Sequence, residues 1–175
     1  MDTDLVQLEV LGVRRQAPLD QVVVLLLDLE GRRLLPIVVG IGEGTAIAAG
    51  QAGTVPPRPM THDLLVSVLE VAGRELDRVE IVSLLDGVFH AALVLDDGSR
   101  VDSRASDAIA IAVRTGSPVL CAPEVLEESG LPVKEREEDE EVEEFRAFLD
   151  TVTAEDFEGG DEPPSEDSPG PEPPT

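Results

Sequence analysis

Two Asp-Gly pairs, Asp86-Gly87 and Asp97-Gly98, bracket the apolar run Val88–Leu95. Asp-Gly readily adopts the left-handed backbone of tight hairpin turns, so this run is a strand that meets antiparallel neighbours at both ends. The same grammar precedes it. Asp4 to Arg14 alternates with apolar residues at Leu5/Val6, Leu8, Val10 and Leu11. Ala17-Pro18-Leu19-Asp20 supplies turn chemistry before the run Val22–Leu29, and Glu30-Gly31 separates that run from Leu34–Val39. A largely antiparallel or mixed sheet follows. Helical stretches interrupt it: residues 43–52 are small and Ala/Gly-rich, and Thr61–Ala72 places Leu64, Leu65, Val68, Leu69 and Ala72 on one face, with Thr61 able to cap it. Ser106–Arg114 is apolar nearly all round and so belongs between other elements; a short strand, Pro118–Cys121, and a short helix around Glu124–Ser129 follow. The expected class is α+β with three to four helices.

A chain of 175 residues, 42% apolar, can bury one core. That core belongs to residues 1–131. Beyond Pro132 the composition turns acidic: residues 134–175 hold 17 carboxylates against three basic side chains, part of a formal charge of −24 for the chain. Residues 132–158 read as an acidic linker in which Val142, Phe145, Leu149 and Val152 share one face of a short amphipathic helix. Residues 159–175, with six prolines among acidic and small residues, read as a disordered tail. One cysteine, Cys121, and two histidines exclude an internal disulfide and a zinc finger, and favour a reducing cytoplasm. No signal-like start and no membrane-length apolar stretch is present, so a cytoplasmic location is expected.

Such a charge opposes simple nucleic-acid binding, because each excess carboxylate repels the phosphate backbone. Stacking is weakened as well, since Trp and Tyr are absent and only four Phe occur. The basic residues of the first 133 positions are all arginines, which suit bidentate phosphate contacts, although a GC-rich genome favours arginine too. Arg14-Arg15 and Arg32-Arg33 fall at opposite ends of a meander and form no common patch.

Three segments carry a resemblance. Pro36-Ile-Val-Val-Gly40 with Glu43 and Ala46-Ile47, then Arg58-Pro59-Met60-Thr61-His62-Asp63-Leu64, then Asp102-Ser103-Arg104-Ala105-Ser106-Asp107-Ala108-Ile109-Ala110 resemble, in order and spacing, the bifunctional nuclease family over about residues 4–131. The resemblance implies nuclease activity on DNA and RNA, an α+β fold and self-association. Gly44, Ser103 and Ala105 depart from residues usual in the family, as does His90 at a strand position often held by Tyr. The first three departures remove no titratable group and bear on backbone geometry.

Hydrolysis of a phosphodiester needs a base to activate water and positive charge for the phosphoryl oxygens, commonly from a divalent cation. His62 is the neutral base within these segments, and His62, Asp63, Asp102 and Asp107 form the expected catalytic set. Glu43, Asp63 and Asp107 are expected ligands for Mg2+ or Mn2+, with Arg58 and Arg104 as phosphate contacts. Each residue also has a structural reading. His62, Asp63, Ser106 and Asp107 open helices, where acidic side chains favour the positive end of the helix dipole, and Arg104 suits a pair with Asp102 or Asp107. His90 alternates with Val88, Ala92 and Val94 and reads as a packed or edge residue. Gly40, Gly42 and Gly44 lack dinucleotide-loop spacing, and Glu43 would face any phosphate held there. The alternative to a nuclease is a non-catalytic regulatory or protein-interaction module on the same fold.

Overall fold

Where β-branched and leucine-rich runs alternate with turns, the backbone pairs with itself, and eight strands result among the described residues. A computed structural model describes residues 5–16, 20–28, 30 and 32–133. The strands are β1 (Val6–Gln16), β2 (Gln21–Asp28), β3 (Arg33–Val39), β4 (Leu76–Leu85), β5 (Val88–Leu95), β6 (Arg100–Arg104), β7 (Val119–Cys121) and β8 (Leu131–Pro132). Four helices join them: α1 (Ile41–Gln51), α2 (Thr61–Val71), α3 (Ala105–Thr115) and α4 (Pro123–Ser129). All strands lie in one sheet, ordered β6-β5-β4-β7-β1-β2-β3-β8. Every pairing is antiparallel except β4 with β7, so the sheet is mixed. The parallel pair arises because β7 enters only after the α3 crossover.

The hairpins follow the turn chemistry. Asp86 and Gly87 both adopt positive φ, 51° and 78°, and close β4 onto β5 with Leu85 opposite Val88. The register between β1 and β2 slips by one residue between Val10 and Gly12, a bulge that leaves Leu11 exposed. Gln16 pairs with Gln21 and Asp28 with Arg33, which puts Arg14-Arg15 and Arg33 at opposite ends of the meander. Two short strands were not singled out in the sequence. Arg100–Arg104, implied only by the Asp97-Gly98 turn, carries charges at alternate positions and no apolar run, and Leu131–Pro132 is too short to show a pattern.

Helix α3 is the centre of the molecule. Ala105, Ser106, Ala108, Ile109, Ala110, Ile111 and Ala112 are all buried, so alanines let it lie close to the sheet and to α1 at once. It ends at Gly116, whose left-handed φ of 71° allows its N–H to bond Ala112 C=O at 2.9 Å. The core joins α3 to Val24, Leu26, Leu35, Ile37, Val79, Ile81, Ala91 and Leu93, alternate residues of the sheet, and to Ile47 of α1. A continuous apolar run such as β2 suits a strand covered on both faces. Val22, Val23, Val24 and Leu26 are buried, whereas Leu25 and Leu27 are half-buried.

Helix α2 differs from the expected pattern in two ways. Its N-cap is Met60, not Thr61, and the Asp63 carboxylate reaches back to accept the Met60 N–H at 2.9 Å. None of its residues is buried, and the stripe Leu64, Leu65 and Val68 faces solvent. An apolar stripe declares that a face is to be covered without saying by what. The residues to Val133 form one compact unit. The linker helix and the tail expected beyond it lie outside the described residues. Among those described, no helix is long and apolar enough to cross a membrane.

Candidate active site

The first turns of α1, α2 and α3 meet, and each brings one acidic residue: Glu43, Asp63 and Asp107. Helix starts carry partial positive charge from free N–H groups, so carboxylates there are stabilised by the backbone itself. Arg104, the residue before α3, stands between them. Its Nε and Nη2 donate to the two oxygens of Asp107 at 2.7 and 3.2 Å, while Nη1 donates to Glu43 Oε1 at 3.0 Å. Asp107 also meets His62, whose Nε2 lies 3.2 Å from the Oδ1 that accepts Arg104 Nη2. The result is a continuous chain, Glu43–Arg104–Asp107–His62, that ties three helices together. Of the residues expected in the site, these four are brought into one cluster.

Electrostatics follow from this geometry. Burial works to raise the Asp107 pKa, but hydrogen bonds from Arg104 and His62 outweigh it and hold the carboxyl below the usual range. Arg104 is held above its ordinary value by its bonds to Asp107 and Glu43. Its side chain is nonetheless 63% exposed, while that of His62 is only 14% exposed. A small cavity of about 220 Å³ opens beside Arg104 and Glu43, walled by Val38, Gly40, Val88 and Ser106. β3 and β5, far apart in strand order, both line it, so the sheet curves around α3 to bring them together. His62 and Asp107 sit beside the cavity and do not line it.

Three expected residues stand apart from the cluster. Asp63 turns the other way: Arg114 Nε donates to Oδ1 at 2.5 Å and the Met60 N–H occupies Oδ2. The bond from Arg114, then that from Met60, hold the Asp63 carboxyl below its ordinary pKa. Asp102 is exposed on β6 opposite Ala92, and Arg58 is exposed ahead of α2; neither joins the chain of ion pairs. His90 is half-buried on β5, opposite Arg104 in the register. Arg114, which sequence reasoning passed over, is the residue that organises this region. Its signal was a lone cation closing a helix that is apolar nearly all round beyond its first turn.

A shared cation would need several of these donors to converge. Among the described residues no three His, Cys, Asp or Glu side chains do so, and both oxygens of Asp63 already have hydrogen-bond donors. The set Glu43, Asp63 and Asp107 therefore does not form a ready metal cage.

The family model for the bifunctional nuclease domain matches residues 24–134. The chain belongs to the bifunctional nuclease domain family. The match spans the whole cluster, from Glu43 through His62 to Asp107. Two uncharacterized proteins of Mycobacterium tuberculosis, from strains CDC 1551 / Oshkosh and ATCC 25618 / H37Rv, are each 40% identical over 159 residues, covering 86% of this chain and 97% of their own length. Membership of the bifunctional nuclease domain family makes this a nuclease-like domain, and the resemblance seen in the three sequence segments is the one the family model finds.

Proposed function

We propose that the chain hydrolyses phosphodiester bonds in DNA, RNA or both, at the junction of the first turns of α1, α2 and α3. The observation that carries this reading is the His62–Asp107–Arg104 arrangement. With Nε2 protonated and donating to Asp107, His62 keeps the Nδ1 lone pair to take a proton from water. Asp107 fixes that tautomer and stabilises the imidazolium that forms. Arg104, exposed on one edge and already bidentate to Asp107, offers its guanidinium to a phosphate oxygen once Glu43 is displaced. Arg58, exposed before α2, would serve as a second phosphate contact. Asp63 acts on His62 through the helix turn they share rather than on substrate.

The cluster supplies two carboxylates for one arginine at its phosphate edge, so added positive charge would favour an anionic substrate there. Mg2+ or Mn2+ enters the proposal on this ground alone, attracted by Glu43 and Asp107, both of which would first have to release Arg104. A homo-oligomer forms part of the same reading. The competing reading is a non-catalytic module in which the ion-pair chain is only a clamp between helices, and the pairing of Arg104 with two carboxylates favours it.

The test is cleavage of DNA and RNA by wild type, His62→Ala and Asp107→Asn prepared in parallel, with EDTA, Mg2+ or Mn2+, alongside thermal melts. A general base contributes about 10²–10⁴-fold, so both variants are expected to lose at least a hundredfold while remaining folded. Equal cleavage by all three proteins, or none under any condition, rejects the assignment.

A further inference from the structure

The cavity beside Arg104 has polar and apolar walls, and hydrolysis as proposed above uses only Arg104 among them. Val38, Val88 and Phe89 are its apolar lining, and the two valines are 60 and 53% exposed. Two polar groups there are unspent. Glu43 gives Oε1 to Arg104, while its Oε2 accepts no hydrogen bond among the described residues. That oxygen lies over Gly40 in the cavity wall, where any Cβ would collide with it. Ser106 is nine-tenths buried, yet its hydroxyl has no hydrogen-bond partner among the described residues. No sealed side-chain polar atom among those residues lacks a partner, so this hydroxyl opens onto the cavity it lines. A buried hydroxyl of this kind calls for a ligand or a water.

The lining selects what enters. Glu43 repels a phosphate, which is left to the exposed edge of Arg104. A group with apolar faces and hydrogen-bond donors along its edge is favoured instead, and about 220 Å³ has room for one nucleobase but not for a base pair. Among the bases only guanine sets two donors side by side, N1–H and the N2 amino group, to match the two oxygens of a carboxylate. Adenine and cytosine place one amino donor beside an acceptor nitrogen, and uracil and thymine place one N–H between two carbonyls.

We propose that the cavity takes one unpaired guanine of a single strand, with Glu43 accepting from N1–H and the N2 amino group, Ser106 donating to O6, and Val38, Val88 and Phe89 against the ring faces. This slot rests on the hydrolytic reading of the site and sets its substrate class. Arg104 couples the two: as it turns to a phosphate oxygen it releases Oε1, and both carboxylate oxygens become free for the base. A duplex does not fit, because cytosine already holds the same guanine edge. Charge agrees, since a duplex-binding protein commonly neutralises about 6–10 phosphates and this site offers Arg104 and Arg58.

The test measures binding of the full chain to short labelled single strands of DNA that differ at one position, in EDTA so that no divalent cation competes for Glu43. Guanine at that position is expected to bind at least about tenfold more tightly than adenine, cytosine or thymine. Inosine, which lacks the N2 amino group, is expected to lose roughly ten- to a hundredfold, the worth of one charge-assisted hydrogen bond. The matching duplex is expected to bind no better than the inosine strand. Glu43→Gln, checked by a thermal melt, is expected to erase the guanine preference, because its amide N–H₂ opposes a donor. Val38→Asp, at an exposed position outside the ion-pair chain, is expected to weaken the guanine strand most. The inosine comparison uses wild type and stands even where a variant fails to fold. Equal or absent binding of the strands, inosine bound as well as guanine, or a duplex bound as well as the single strand overturns the slot. Cleavage positions, mapped separately with Mg2+ or Mn2+, are expected beside guanine. Cuts without base preference overturn the slot and leave hydrolysis standing, whereas guanine-selective binding without any cleavage supports the slot and rejects hydrolysis.

Discussion

A guanidinium with 9% of its side chain exposed needs acceptors close by, and Arg114 has three. Its Nε holds Asp63 of α2, and its Nη1 reaches Ala46 C=O of α1 at 3.0 Å and Ala110 C=O of its own helix at 2.7 Å. One residue thus fixes the helix turn that carries His62. Arg114→Met takes the side-chain donor from Asp63 Oδ1 and from two carbonyls, and removing one partner of a largely buried pair costs on the order of 2–4 kcal/mol. Urea denaturation is expected to show that loss. pH dependence has a definite sign: Asp63, Asp107 and Glu80 all have lowered pKa values when folded. Glu80 is so because Arg100 and Arg78 overcome its burial. The stability they confer is complete above their unfolded values of about 4 and is lost as pH falls through the lower folded ones. The urea midpoint should therefore fall from about pH 5 toward pH 2, and less steeply in Arg114→Met. At this scale the sequence singled out Glu43, His62, Arg104 and Asp107, which the fold brings together because motif residues at helix starts converge when the helices do. Asp63 stands apart from them, since its partner is 51 positions away and invisible to local spacing.

Helix α1 shows why element boundaries are easier to read than element contacts. Its glycines lower its helix propensity, yet they occupy three different environments. A Cβ on Gly44 would stand 2.4 Å from Val22 Cγ1, and one on Gly50 would stand 2.7 Å from Val113 Cγ2, whereas Gly42 has open space. The first two let α1 approach β2 and α3; the third has no packing reason. Gly44→Ala and Gly50→Ala are expected to destabilise by about 1–3 kcal/mol through overpacking, more than the helix propensity gained. Gly42→Ala, in the same helix, is expected to be neutral or to stabilise by up to about 1 kcal/mol. Thermal melts of the three variants would show opposite signs, and a uniform gain would mean that α1 does not sit this close. Periodicity gave α2 its extent and its apolar stripe correctly. What it could not give was the partner of that stripe, since the fold covers the side holding His62, Asp63 and Val66 instead.

For the whole molecule the governing quantity is charge. The compact unit ends at Val133, close to the boundary that composition alone suggests. Residues 134–175 then add 17 acidic side chains to a chain whose proposed site offers an exposed arginine. Two roles are open to such a polyanion: a solvating appendage without contact, or a competitor that occupies arginines otherwise available to phosphate. Tethering would hold it near the domain at a millimolar-scale effective concentration, enough for a weak charge contact to compete. Both roles improve solubility, so solubility does not separate them. Salt does. Contacts between exposed charges are screened over about 8 Å at physiological ionic strength, and phosphate contacts weaken steeply as salt rises. If the segment competes, a chain ending at Val133 will bind and cleave nucleic acid several-fold more strongly than the full chain near 50 mM salt, with the ratio approaching one near 200 mM. Some gain also arises from removing distant repulsion, so the decisive comparison adds the separate 134–175 peptide to the truncated chain. Direct occupation of Arg104 predicts saturable inhibition that is lost in Arg104→Gln. Repulsion alone predicts no saturation at all, and would leave the segment as a solvating appendage.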